Sequence, residues 1–306
     1  MTTQTLPILP VTTPNPRLIG VVYAALSAAC FGIAPIFARL AYAEGLNTTT
    51  TMFLRFALSG TLMALVFLWK KEPWPRGRNL AVLILMGGVC YLGQSFCYFS
   101  ALKYASAGLV ALLLYLYPAI VTLLMARITR SALGRVRIGA LVAALAGTAL
   151  TVSGSLQGSF AGVALAIGSA LIYSGYIVLG DRLLGEESVI GSATVIMLTA
   201  AAAYGTIIAC QGPAWPSSVA GWGAAVGVAL TTVGGILGFL AGIQRLGAVD
   251  ASTISTLEPV TTIVLAAAFL EEFIRPRQIL GGIVILAAVI LLIRHGAPGY
   301  IPPESS

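Results

Sequence analysis

Within a long apolar stretch the chain carries Asp250-Ala-Ser-Thr-Ile-Ser-Thr-Leu-Glu258-Pro259, an acid set directly against a proline. A carboxylate inside a membrane-spanning helix costs about 3 kcal/mol, so packing alone does not account for Glu258. Ser252, Ser255 and Pro259 recur at i, i+3 and i+7, which places them on one helix face with Glu258 on its flank. Proline has no N–H, so the carbonyl of Ser255 is expected to lose its helical partner. Pro118, in Tyr115-Leu-Tyr-Pro118, is expected to do the same to the carbonyl of Leu114. Carbonyls freed at membrane depth are tolerated where they face a cavity or another polar group. The chemistry implied is binding: hydroxyls, carbonyls and a carboxylate that receive a polar, ammonium-bearing molecule. Two structural alternatives stand beside it. The serines can back-bond to their own helix, and Glu258 can pair with Arg55, the other deep charge.

A second polar stripe runs through Tyr91, Gln94, Ser95 and Tyr98, again at i, i+3, i+4 and i+7. Gln94 is costly in lipid, so this stripe is expected to face inwards. Tyr115, Tyr173 and Tyr176 extend the set; rings with hydroxyl tips can line a pocket that accepts both apolar and polar groups. Core packing with hydroxyls bonded to neighbouring helices is the alternative for these tyrosines. No Walker A, HExxH, GxSxG or strand-linked GxGxxG occurs, so no catalytic constellation is expected. Cys30, Cys90, Cys97 and Cys210 lie in apolar runs, without CxxC spacing or a nearby histidine, and predict neither disulfides nor a metal. No cofactor is implied. The lone His295, just past the last apolar run, reads as an interfacial residue.

The elements that must hold these residues follow from hydropathy. The chain has 306 residues, of which 58% are hydrophobic and only 9% charged, with mean hydropathy +0.96. Soluble domains carry about 25% charged residues, so this is a polytopic membrane protein. Its net charge of +7 then reads as basic cytoplasmic loops and not as a nucleic-acid surface. A span needs about 20 apolar residues. Turn signals divide the chain into ten: Leu18–Ala43, Thr48–Trp69, Leu80–Leu102, Ala105–Ala126, Val136–Val152, Gly162–Leu184, Val189–Cys210, Val219–Ile243, Ala251–Leu270 and Gln278–Ile293. The first 16 residues are polar and Pro-rich and lack the pattern of a cleavable signal peptide.

With the N-terminus inside, twelve of the Lys and Arg residues fall on the inner side and five on or towards the outer. That bias predicts both termini in the cytoplasm. A shift of 142 residues lays Gly20, Ser27 and Ala28 on Gly162, Ser169 and Ala170, and Gly139 on Gly281; a shift of 141 lays Pro118 on Pro259. Each copy has five spans, an odd number, so the copies sit in opposite orientations. Inverted repeats predict alternating access, with a site at their interface near the midplane. The expected organisation is a tail (1–17), a first repeat (18–153), an inverted second repeat (162–294) and a second tail (295–306). Both repeats lie in one chain, so the unit can work as a monomer. The glycines, Gly234–Gly238 among them, read mainly as sites of close helix packing, with a hinge as the alternative in the eighth span.

Ten spans in two repeats, a proline in the fourth span of each and a Glu-Pro in the second copy together resemble the drug/metabolite transporter superfamily. The segments Tyr98-Phe-Ser-Ala-Leu-Lys-Tyr-Ala-Ser-Ala and Leu270-Glu-Glu-Phe-Ile-Arg-Pro-Arg-Gln-Ile-Leu-Gly-Gly resemble EamA-type exporters, and overall likeness extends to the YddG-type amino-acid exporters. The resemblance implies an all-α basket of ten helices with its cavity lined by the third, fourth, eighth and ninth spans. It makes Gln94, Tyr98, Tyr115, Ser252, Ser255 and Glu258 cavity candidates. It also implies a bacterial inner-membrane protein whose partners are lipid and a small-molecule substrate. The first span carries Ser27 and Cys30 and no acid, a departure from the small multidrug exporters that argues against proton exchange through that helix. Amino-acid export is the leading expectation. The alternatives are export of another small metabolite or lipophilic cation and, more remotely, a receptor or an intramembrane enzyme.

Overall fold

The computed structural model describes residues 15–130, 134–152, 156–185, 187–269 and 273–295. Over these residues the chain forms thirteen α-helices and no strand. Seven are simple: α1 (Pro16–Ala43), α2 (Thr48–Lys70), α7 (Arg135–Thr151), α8 (Phe160–Leu183), α9 (Val189–Gln211), α10 (Val219–Leu246) and α13 (Pro276–His295). The third span is α3 (Gly77–Leu85) and α4 (Leu92–Ala101), joined without a break by a π-turn over Met86–Tyr91. The fourth is α5 (Ala107–Leu114) and α6 (Tyr117–Thr129), and the ninth is α11 (Ala248–Ile254) and α12 (Glu258–Phe269). Among the described residues nine spans are long and apolar enough to cross a bilayer. The tenth, α7, is shorter at 17 residues.

Polar residues at the turns set the helix starts. Asn47, Ser106, Ser159, Ser188 and Ser218 each accept a backbone N–H of the first turn, at 2.8 to 3.4 Å. The ninth span begins at Ala248, three residues before the predicted start, so Asp250 lies inside its first turn. Large apolar side chains such as Leu26, Leu65, Phe96, Val142 and Ile283 stand exposed around the outside, where lipid is their solvent.

The packing is two-fold in pattern. α1 lies along α10, and its repeat mate α8 lies along α4; α1 also meets α12, as α8 meets α5 and α6. α2 packs on its own mate α9, and α7 on its mate α13. Single hydrogen bonds follow the same pairing. Ser27 Oγ donates to the carbonyl of Gly235 at 2.7 Å, and Ser169 Oγ donates to the carbonyl of Gln94 at 3.1 Å. α10 runs unbroken through Gly234–Gly238, whose absent Cβ atoms make room for Cys30, Phe31 and the carbonyl of Tyr23 on α1. These glycines are packing positions.

Candidate functional site

Both repeats break one helix at the same place. α5 ends at Leu114 and α6 begins at Tyr117; α11 ends at Ile254, passes through a 3-10 turn over Ser255–Leu257, and α12 begins at Glu258. Tyr117 and Glu258 are 141 residues apart, the offset that relates the two prolines. Pro118 and Pro259 are therefore second residues of new helices, where a missing N–H costs nothing. One expectation is corrected here. The Ser255 carbonyl accepts the N–H of Glu258 through the 3-10 turn, so the proline does not leave it open. Ser252 and Ser255 are buried, and their hydroxyls donate to the carbonyls of Val249 and Ala251, each at 3.0 Å. They do not line the cavity between the repeats.

That cavity has a volume of about 610 Å³. It extends from the middle of the spans to the face away from the start of α1 and the end of α13, where Arg39, Phe99, Thr151 and Val152 border it. The whole predicted stripe Tyr91, Gln94, Ser95 and Tyr98 lies in its wall, as do Tyr115, Tyr173, Glu258 and Pro259. The π-turn ends on Tyr91, the first residue of this stripe; its extra residue re-registers the helix beyond it. Gln94 is held from the other repeat, its side-chain amide donating to Ser169 Oγ at 3.2 Å. Tyr176 is absent from the wall. It is buried behind it, stacked on Tyr173 at 6.0 Å between centroids and edge-on to Tyr91 at 5.5 Å. Pro118 is buried and likewise does not border the space.

Several wall residues were not singled out as cavity residues from the sequence, Tyr117, Arg39 and Arg55 among them. Tyr117 sits edge-on to Tyr173 at 4.8 Å, at the repeat position that Glu258 occupies in the other copy. Its place could have been read from that alignment. Arg39 borders the mouth. Arg55 faces the interior, and its Nε donates to Thr232 Oγ1 on α10 at 2.8 Å. Arg55 and Glu258 do not form an ion pair.

Away from the cavity, towards the face that holds the start of α1 and the end of α13, the helices are tied together. Asp250, 1% exposed, has Arg137 Nε 2.9 Å from Oδ1 and Arg17 Nη2 3.7 Å from Oδ2. Arg137 Nη2 also donates to Oδ2 at 3.2 Å, and Arg17 Nη2 donates to the carbonyl of Leu292 at 2.9 Å. One buried carboxylate thus joins α11 to α1 and α7, and Arg17 reaches α13.

The profile of the EamA-like transporter family matches residues 18–153 and again 160–294. The chain is an EamA-like transporter. Two relatives from Bacillus subtilis (strain 168) are named as transporters. The uncharacterized transporter YcbK is 28% identical over 277 residues, covering 86% of this chain and 88% of its own. The uncharacterized transporter YyaM is 24% identical over 251 residues, covering 77% and 81%. A solved crystal structure superposes with a TM-score of 0.76 at 20% identity, over 90% of this chain and 96% of that one, a likeness of fold. The family match falls twice on one chain, as the duplicated packing of this EamA-like transporter requires.

Proposed function

We propose that this transporter exports amino acids, neutral and aromatic ones among them, from the cytoplasm by alternating access. The basic face of the molecule, with both termini, is the cytoplasmic one under the positive-inside rule. The substrate site is the midplane cavity, and the wall residues Tyr91, Gln94, Tyr98, Tyr115, Tyr173 and Glu258 form it together with Tyr117. The observation that carries the reading is a cavity with Arg55, Glu258 and tyrosines in its wall that reaches one face while the Asp250 cluster ties the helices together towards the other. Such an arrangement is one half of an alternating cycle, in which the two repeats exchange roles. Glu258 offers a carboxylate to a substrate ammonium, and the tyrosine rings accept apolar or aromatic side chains.

Glu258 also favours a second reading, a lipophilic cation held by the carboxylate and the tyrosine faces. Counterflow in proteoliposomes with labelled amino acids, nucleosides and organic cations separates the two. Amino-acid flux is the expected result, and its absence for every amino acid tested removes the substrate assignment. Glu258 shares its cavity with Arg39, Arg55, Tyr91, Tyr98, Tyr115, Tyr117 and Tyr173. If it carries a proton during the cycle, Glu258→Gln makes flux independent of pH. A pH dependence equal to that of the parent shows that Glu258 does not couple.

A further inference from the structure

Arg55 lies seven residues into α2, or about 10 Å along the helix. Arginines at such depth pair with an acid or with backbone carbonyls. Arg55 does neither. Its Nε donates to Thr232 Oγ1 at 2.8 Å, and that hydroxyl donates onward to the carbonyl of Val228 at 2.7 Å. One terminal nitrogen approaches Met52 Sδ at 3.9 Å, and the guanidinium carbon stands 5.1 Å from the centre of the Phe56 ring. Thr232 thus holds the guanidinium through Nε, Met52 touches Nη1, and Nη2 has no partner among the described residues. Among the described residues no carboxylate comes within ion-pair distance of it.

Glu258 is its counterpart on α12. Its carboxylate borders the same cavity and has neither a hydrogen-bond nor an ion-pair partner among the described residues. A guanidinium and a carboxylate therefore face one cavity at membrane depth without touching each other.

We propose that Arg55 and Glu258 are the two poles of a zwitterion site. The free end of the Arg55 fork receives the α-carboxylate of an amino acid, and Glu258 receives its α-ammonium. This deepens the amino-acid reading above and rests on it. Thr232 is the positioning residue: it occupies Nε, so that the remaining nitrogens meet the carboxylate end-on, a geometry that lysine cannot reproduce. A substrate with both charges satisfies both poles at once. One that lacks either charge leaves a pole unpaired inside the protein, the situation in which binding sites reject analogues most strongly.

The test uses the full-length protein in proteoliposomes, with labelled L-phenylalanine and L-alanine as probes. The corresponding amino-acid amides, without the carboxylate, and N-acetyl derivatives, without the ammonium, serve as competitors. For the parent protein, both kinds of analogue are expected to compete at least about 100-fold less well than the parent amino acid. In Arg55→Gln the amide should compete nearly as well as the acid, while the N-acetyl compound is still rejected; in Glu258→Gln the pattern reverses. Arg55→Lys keeps the charge and loses the fork. It is expected to raise KM about tenfold, and it stands in if Arg55→Gln fails to fold. Absence of flux for both amino acids in the parent protein overturns the amino-acid reading itself. Flux with equal competition by acid, amide and N-acetyl compound leaves that reading standing and overturns the zwitterion site.

Discussion

Arg137 Nε stands 2.9 Å from Oδ1 of Asp250, a carboxylate whose side chain is 2% exposed. The two residues belong to different repeats, and Arg17 reaches the same carboxylate from α1. Removing one partner of a fully buried pair typically costs about 3–5 kcal/mol. Here Arg17 and Arg137 keep 22% and 26% exposure, so water takes over part of their solvation. Asp250→Asn is therefore expected to cost roughly 1–3 kcal/mol, read as a lower melting temperature in detergent. In the proposed cycle the same cluster must part to admit substrate. Ser252, buried two residues further along the same helix, is a reporter: a cysteine placed there should react with a water-soluble maleimide faster in the Asp250→Asn background than with Asp250 intact. Equal labelling in both backgrounds would show that the cluster holds nothing shut.

Ser27 and Ser169 allow a matched comparison, because each donates to a carbonyl of the opposite repeat. Interhelical hydrogen bonds in membrane proteins contribute about 0.6 kcal/mol on average and up to about 1.7. Ser27→Ala and Ser169→Ala should each lower stability by an amount in that range. Their effects on transport should differ. Ser169 also accepts the side-chain amide of Gln94, which lines the cavity, whereas the Gly235 carbonyl does not border it. Ser169→Ala is expected to raise KM several-fold and Ser27→Ala to leave it nearly unchanged. Initial-rate measurements on the two variants decide the matter.

These two serines also show what the sequence made legible. Their alignment at an offset of 142 residues foretold that they occupy equivalent places, and the structure gives them equivalent bonds. The prolines behaved similarly, marking helix breaks related by the same duplication. The inward stripe from Tyr91 to Tyr98 was readable because Gln94 and Ser95 cannot face lipid cheaply. Periodicity does not report which interior a face meets. Ser252, Ser255 and Tyr176 all face inwards, but onto packed helices and not onto the cavity. The partnership of Asp250 with Arg137 spans 113 residues of sequence and has no local signature. The π-turn was hidden as well, since Gly87-Gly88 reads equally well as ordinary close packing.

That π-turn supplies a sharp contrast between adjacent glycines. A Cβ on Gly87 would lie 2.0 Å from Thr199 Oγ1 and 2.3 Å from the carbonyl of Ile196, both on α9. A Cβ on Gly88 would meet nothing within 4 Å. Gly87→Ala must push the third span off α9, with an expected cost of about 1–3 kcal/mol or more. Gly88→Ala should be neutral or slightly stabilising, since alanine is the better helix former. Thermal melts of the two variants test this directly, and equal behaviour would contradict the packing of the π-turn on α9.

At Gly32, α1 packs against the start of α12 without room for a side chain. A Cβ there would stand 2.8 Å from the carbonyl oxygen of Glu258 and 2.7 Å from Thr261 Cβ. Neither atom is the end of a flexible side chain. Thr262 Oγ1 donates to the Gly32 carbonyl at 3.1 Å, so the two helices are bonded as well as packed. Its repeat equivalent is Ser174, whose hydroxyl donates to the carbonyl of Tyr117 at 3.3 Å. The first helix of each copy, then, contacts the residue that opens the second half of the broken span in the other copy. Gly32→Ala should displace the beginning of α12 by several tenths of an ångström and carry the Glu258 carboxylate with it. A misplacement of that kind is expected to reduce transport at least about tenfold, whereas overpacking costs about 1–3 kcal/mol of stability. Measuring both separates the two effects: full transport in a destabilised variant would mean that the position of Glu258 does not matter.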